Sequence, residues 1–425
     1  HNRTSQTTHS RESILSLVNL KSKLPPRFQK YASLGVFPKI ILFPFALFAV
    51  TCFVIVRPVI LIQVHKVKDW RIGHFATNTE ITRLKTVKHN KNNRKKLITI
   101  YYFGSKVASN ISLGEIWSQS LPSVRGHWGW LLNAITSKLA NMNSSTDSTN
   151  IDLSGFLLTE NKPILALKRS RRSEIDLIKN LCKGDSFVCL NVRDCAFMSA
   201  TRTRDMSYHN YRDSDISTYV AAAEALAEMG YTVFRMGALV KDPLVSKHPR
   251  VIDYATNGMR TDFLDVFLGA HCSFCVSTGS GWDSVPTIFR RPIMLVNHLP
   301  TFDTSTITLP IMIYPKTLSD KQTINDLSLE EICTKYVVNS RFSNEFADAG
   351  VEIQDLSSDE LVEAVTEMAQ RVEGTFVETP EQKEMQAKLK HILSTHPKLQ
   401  PTPNYYPIRA EFASCFLSRY PNFLD

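Results

Sequence analysis

From Phe187 to Asn297 the sequence repeats one pattern: a short apolar run, a polar end, then a stretch with helical spacing. Phe187–Val192 is continuously apolar apart from Asn191, as expected of a strand covered on both faces of a parallel sheet. It ends in Arg193-Asp194, a charge pair that the middle of a buried strand would not tolerate. Arg193 is therefore expected at the strand's C-terminal edge, where open α/β sheets bind ligands. Asp215 can cap the next helix, Ile216, Tyr219, Val220, Ala223 and Leu226 share one face, and Gly230 stops it. Tyr231–Met236 reads as a second strand running into Gly237, and Asp253–Ala270 as loop then helix. Ser273–Ser277 is a third strand, leading into Thr278-Gly279-Ser280-Gly281. A helix around Ser284–Phe289 and a last strand, Ile293–Val296, close the set. This is βαβ repetition with polar groups at the strand ends, as in half of a nucleotide-binding enzyme.

The motifs FVCLNVRD, HNYRDSD, GYTVFRMG, DYATNGMRTDF and CVSTGSG follow one another in that order, and RIGHFATNTE (Arg71–Glu80) lies upstream. In this order they resemble a bacterial glycosyltransferase family distantly similar to fucosyltransferase-like GT-B enzymes. The resemblance covers roughly Arg57 to Asn297, and its specificity lies in the joint order of the motifs. Asn191 departs from it, standing where the family has His before Val-Arg-Asp. The implied fold is α/β and GT-B-like: two Rossmann-type domains facing a central cleft, with an N-terminal membrane anchor.

Charge is distributed unevenly. The net charge is +10, yet residues 1–100 hold 18 Lys and Arg against 3 Asp and Glu. Basicity thus belongs to the N-terminal part and favours an anionic membrane surface. No zinc finger, RNP-type motif or basic–aromatic repeat supports nucleic acid as the partner. Of the eight cysteines, Cys189, Cys272 and Cys275 sit in or beside strand-like runs and read as buried thiols rather than zinc ligands. Reduced thiols fit a cytoplasm-facing enzyme. The sequons at Asn2, Asn110 and Asn143 would matter only in a secretory compartment.

Ile40–Val56 is an uncharged run bounded by Lys39 and Arg57. As a helix it would be about 26 Å long, against a hydrocarbon core of ~30 Å. Its expected role is membrane attachment, with residues 1–57 outside the fold. The basic arm before it places the N-terminus in the cytoplasm. The catalytic domain then faces the cytoplasm if the run is a monotopic anchor, or lies outside or in a secretory lumen if it spans. The expected organisation is a basic arm over 1–38, the membrane segment over 39–57, an acceptor-side α/β domain over 58–182, a nucleotide-sugar domain over 183–345 and a helical region over 346–425. Val59–Val64 and Leu97–Phe103 read as strands of the acceptor-side domain, Asn141–Asn150 as a polar insertion and Lys168–Arg172 as a solvated basic face. Near the C-terminus, Ser357–Glu360 is a capping box ahead of the stripe Leu361, Val365, Met368 and Val372, and Glu381–Leu393 is a further helix.

A glycosyltransferase without a metal must hold its nucleotide diphosphate with arginines, backbone N–H groups and helix N-termini. Arg193 and Arg235, at neighbouring strand ends, are placed to converge on one crevice, with Asp194 orienting Arg193 as a bidentate partner. Ser277, Thr278, Gly279, Ser280 and Gly281 form a phosphate cradle by composition, although most such loops are simply turns. Asp262 and Asp253 are candidates for the ribose or base, with salt bridges to Arg260 or Arg250 as equal alternatives. On the acceptor side stand His209, Tyr211 and Arg212, or else these form a solvated loop. By the residues alone His74 is a surface or capping histidine. The resemblance raises acceptor activation level with that reading, with Gly73, Asn78 and Glu80 close by. The only DxD, Asp213-Ser214-Asp215, precedes an amphipathic helix and reads as a cap rather than a metal site. These readings imply catalysis by His74, Arg193 and Asp194 with no cofactor and no metal, a nucleotide-sugar donor, and a saccharide or lipid-linked acceptor. Two other classes remain: another α/β nucleotide-sugar enzyme, such as an epimerase or dehydrogenase, and a noncatalytic membrane-tethered carbohydrate binder. The first lacks its GxGxxG turn, and the second does not need the arginine and Ser/Gly set.

Overall fold

The computed structural model describes residues 36–104, 108–140, 162–163, 165, 169–201, 207–299, 311–335, 340, 342–399 and 410–425. The N-terminal arm through residue 35, the sequons at Asn2 and Asn143, the insertion at 141–150 and Lys168 lie outside them. The chain forms two compact units: one drawn from residues 1–67, 86–104 and 121–145, the other from 68–85, 105–120 and 146–425. Both are α/β with parallel sheets, the class expected.

The first unit contains β1 (Ile60–Val67), β2 (Lys96–Phe103) and β3 (Ser123–Arg125), a three-stranded parallel sheet in that order. The apolar run forms the helix Val36–Val56, which turns at Arg57-Pro58 almost directly into β1. Its face Leu42, Ala46, Ala49, Val50 and Phe53 packs on Leu131, Leu132 and Ile135 of the helix Gly126–Ile135. The expectation that residues 1–57 lie outside the fold is therefore corrected for this helix, since Ala46 and Val50 are fully buried. The remainder of its circumference is exposed: Phe48 is 72% exposed and Ile55 69%.

The second unit is built on a seven-stranded parallel sheet in the order β12-β9-β8-β7-β4-β5-β6. The strands are β4 (Phe187–Asn191), β5 (Thr232–Arg235), β6 (Val251–Ile252), β7 (Cys275–Ser277), β8 (Ile293–His298), β9 (Ile311–Pro315) and β12 (Glu411–Phe412). A separate antiparallel pair joins β10 (Thr317–Asp320) to β11 (Val351–Gln354). The expectation that Ile293–Val296 is the last strand is overturned, because β9 and β12 extend the sheet beyond it. β12 is a two-residue pairing with no periodicity of its own. Residues Cys189, Cys272 and Cys275 are buried, and every cysteine is a free thiol.

Local chemistry sets the element ends. Asp215 accepts from the Ser217 N–H, starting a 3-10 turn that continues into the helix Val220–Glu228. Ser357 and Glu360 form the capping box of the helix Ser358–Glu373, which Gly374 ends in a left-handed conformation at φ +73°. That helix packs on Val220–Glu228 and on Ser414–Arg419, all within the second unit. The helix Pro380–Thr395 matches the second C-terminal expectation.

Candidate active site

The strand order reverses at β4. The chain moves from β4 to β5 and β6 on one side, then returns to β7, β8 and β9 on the other. The crevice outside the carboxyl ends of β4 and β7 is thus a topological switch point, the usual ligand position in an open α/β sheet. Asn191 ends β4, and Ser277 ends β7 and opens the Ser277–Gly281 loop.

That loop is held by Asn191 and Asp283. The Asn191 amide donates to Ser280 Oγ at 2.7 Å and Asp283 Oδ1 at 2.8 Å, so Asn191 anchors the loop. Ser277 Oγ donates to Asp283 Oδ1 at 2.7 Å, and the Ser280 N–H donates to Asp283 Oδ2 at 2.6 Å. Burial pushes the Asp283 carboxyl above its usual range, and these donors pull it back. The Gly279 N–H is bonded to Ser277 Oγ and the Thr278 N–H to the Asn191 carbonyl. Three N–H groups of the expected cradle, those of Thr278, Gly279 and Ser280, are thus already bonded within the fold. Asp283 was legible in the sequence: Ser280-x-x-Asp283 has capping-box spacing, and both bonds form.

Arg193 stands just past β4 with its side chain 15% exposed. Its Nε donates to Asp213 Oδ1 at 3.0 Å, and its N–H to Thr278 Oγ1 at 2.9 Å. The expected Arg193–Asp194 pair does not form. Asp194 instead accepts from the Ala196 and Lys241 N–H groups, each at 2.9 Å, closing turns. Burial pushes the Asp213 carboxyl above its usual range, with the Arg193 charge opposing. Buried Lys316, just after β9, fixes the same segment, donating to the Asp213 carbonyl at 2.8 Å and to Asp355 at 2.6 Å. Sequence reasoning missed it because β9 was missed.

Arg235 is fully buried, paired with Asp253 at 3.3 Å and with Asp194 at 3.9 Å, and it donates to the Asp242 carbonyl at 3.1 Å. The strand-end rule found a charged residue, but the loop after β5 folds over it. Asp262, the N-terminal residue of the helix Asp262–His271, accepts from the Ile111 N–H at 2.6 Å and from Asn110 at its carbonyl. It is thus engaged with the helix Ile111–Ser120 rather than aimed at the crevice. Asn110 is buried and also accepts from the Leu113 N–H, which leaves its amide no room for a glycan in the folded chain. Arg260 pairs with Asp265, and Arg250 with Asp185.

Arg212 joins the loop rather than a separate acceptor surface, donating to the Gly279 carbonyl at 2.6 Å. His209 stacks on Phe342 with ring centroids 6.0 Å apart. Gly279 has φ +81°, and a Cβ there would meet His298 Nδ1 at 2.9 Å. His298 is buried beneath the loop, and neither of its ring nitrogens has a hydrogen-bond partner among the described residues. Burial, then the Arg212 charge, push its imidazole down to about 3, so it is neutral at pH 7. His298 follows the apolar part of β8, and the reasoning that singled out Arg193 could have found it.

The upstream motif reaches the same loop. Gly73 lies against Gly281, and half-buried His74 is in the first turn of the helix Ile72–Asn92. Asn78 and Glu80 are buried farther along that helix. Glu80 is held by Arg83 at 2.7 Å and Arg290 at 2.6 Å. Among the described residues no cluster of His, Cys, Asp and Glu has the form of a metal site.

No protein-family model and no curated protein matches the chain. Solved structures similar to it include the E. coli ADP-heptose lps heptosyltransferase II, 12% identical over 59% of this chain and 90% of that one, with a TM-score of 0.35. The glycosyl transferase family 9 protein from Veillonella parvula DSM 2008 is 8% identical over 74% and 96%, with a TM-score of 0.39. The E. coli heptosyltransferase WaaC with ADP is 11% identical over 68% and 99%, with a TM-score of 0.28. At these values the similarity assigns no role to any residue.

Proposed function

We propose that the chain is a GT-B-type glycosyltransferase that moves a sugar from a nucleotide-sugar donor to a saccharide or lipid-linked acceptor of the cell surface, without a divalent metal. The observation that carries this reading is the Asp213-tethered Arg193 guanidinium beside the Ser277–Gly281 loop, at the β4/β7 switch point. In transfer, the bond between the anomeric carbon and the diphosphate oxygen breaks as the acceptor hydroxyl oxygen bonds to that carbon. The leaving diphosphate gains negative charge, which a positioned guanidinium stabilises. The acceptor proton passes to a base, and His74, beside the loop through Gly73, is the residue assigned that role. Arg235 and Asp253 support the loop after β5 instead of binding the donor.

The test is a thermal-shift panel of nucleoside diphosphates, ADP, GDP and UDP, on wild type and Arg193→Lys, followed by transfer and donor-hydrolysis assays with and without EDTA. Ligand bound to the folded state raises Tm. Lysine keeps the charge but loses the planar fork. Transfer should fall about a hundredfold in Arg193→Lys, the usual effect of removing one transition-state contact. Its unliganded Tm should hold, nucleotide stabilisation should shrink, and EDTA should leave wild-type activity intact. A lower unliganded Tm with turnover unchanged would make Arg193 structural, and abolition by EDTA with rescue by Mn²⁺ would overturn metal independence.

A further inference from the structure

The helix Pro38–Val56 is long and apolar enough to cross a membrane, yet it is docked along its middle, not at one end. Its partner, Gly126–Ile135, is 10 residues long and follows β3 directly. At 1.5 Å per residue that partner covers about 15 Å, half of a ~30 Å hydrocarbon core. It carries exposed His127, and exposed Lys138 lies just beyond it. Among the described residues the attached sheet is open, with β1 and β3 as edges. Open sheet edges do not occur exposed to lipid, where their N–H and C=O groups would lack partners. A crossing helix would have to carry this unit into the bilayer or tear away from it.

The exposed side of the same unit suits a surface instead. Ile41, Phe45, Phe48 and Ile55 line the uncovered side of the helix. Exposed Trp130 lies at its start with the Lys39 ammonium 4.2 Å from the ring centroid, the amphipathic pairing found at headgroup depth. At its other end the chain enters β1, whose Ile60 pairs with Lys96 of β2. This end of the sheet gathers Arg57, Arg94, Lys95 and Lys96 beside exposed Val59 and Ile98. Cations flanking an apolar surface are complementary to an anionic leaflet.

We infer that the helix Val36–Val56 lies in the plane of an anionic membrane leaflet as a monotopic anchor, one face on Gly126–Ile135 and the other in lipid. This holds whether or not the proposed transfer reaction is correct. The full chain, with Cys52→Ser, Cys195→Ser and Cys415→Ser and single spin labels at successive positions from Ile40 to Val56, is bound to phosphatidylcholine vesicles with and without phosphatidylglycerol. Oxygen and nickel-chelate accessibilities then give the depth of each label. An in-plane helix gives shallow depths that oscillate with helical period, with positions 46 and 50 shielded from both probes. A depth maximum near Leu47 that falls towards both ends means a span, and water-exposed labels with vesicles present mean no membrane partner; either overturns the inference. Arg94→Gln, Lys95→Gln and Lys96→Gln should each weaken binding to the anionic vesicles about fivefold. Unchanged binding in the triple variant overturns the leaflet assignment.

Discussion

Gly73 and Gly281 touch through their backbones: a Cβ on Gly73 would lie 3.1 Å from both the Cα and the carbonyl oxygen of Gly281. The contact brings the RIGH motif to the Ser277–Gly281 loop. It places His74 within the same unit as Arg193, at the carboxyl edge of one sheet. Two motifs distant in sequence thus meet at one loop.

Gly73→Ala tests that contact. The opposing atoms are backbone, so no side chain can swing away, and the methyl should cost ~1–3 kcal/mol. Donor-nucleotide stabilisation should weaken, since the Ser277–Gly281 loop must shift. Gly230→Ala is the control, with strained φ +97° but open space for a Cβ. It should lower Tm and leave nucleotide binding unchanged, as thermal shift with and without nucleotide will read.

Asp213 and Asp215 should separate cleanly. Asp213→Asn removes the charge-assisted bond that holds the Arg193 guanidinium in place, so nucleotide affinity should fall. Unliganded stability should change little, because the buried carboxylate is already disfavoured by desolvation. Asp215→Ala removes only a cap, costing ~1 kcal/mol of stability, with affinity intact. Calorimetric titration paired with thermal unfolding distinguishes the two.

Deleting the chain through Val56 should destabilise the first unit. It uncovers Leu131, Leu132 and Ile135, each worth ~1.5–3 kcal/mol when fully buried. The truncated protein should show a lower first unfolding transition than the full chain in detergent. Coincident transitions would mean that the docking contributes nothing.

Glu360 supplies a pH signature. Burial alone would raise its pKa, but hydrogen bonds from Tyr420, Ser357 and Tyr314 bring it below the usual value. With the folded pKa depressed, the stabilisation is present above the unfolded pKa of about 4.3 and is lost as pH falls through the folded value. Glu360→Gln should lower Tm at pH 7, and the difference from wild type should shrink steadily below pH 4. A difference independent of pH would show that the carboxylate charge is irrelevant.

Local sequence was enough for much of this architecture. The apolar runs of β4, β5, β7 and β8, and the caps at Asp215 and Ser357, act over a few residues, so spacing and side-chain chemistry reveal them. The strand-end rule also picked out Arg193 and the Ser277–Gly281 loop. It could not distinguish Arg193 from Arg235, because both are arginines at the ends of buried strands. Only the packing of Asp242, in the loop after β5, and Asp253, just past β6, turns Arg235 into a buried structural cation. Asp213 bonds to Arg193 from 20 residues along the chain, β12 pairs with β9 over two residues, and the apolar helix settles on Leu131 and Leu132. None of these pairings leaves a period in the sequence. Each depends on which surfaces the finished sheet leaves open, and that is decided by tertiary packing.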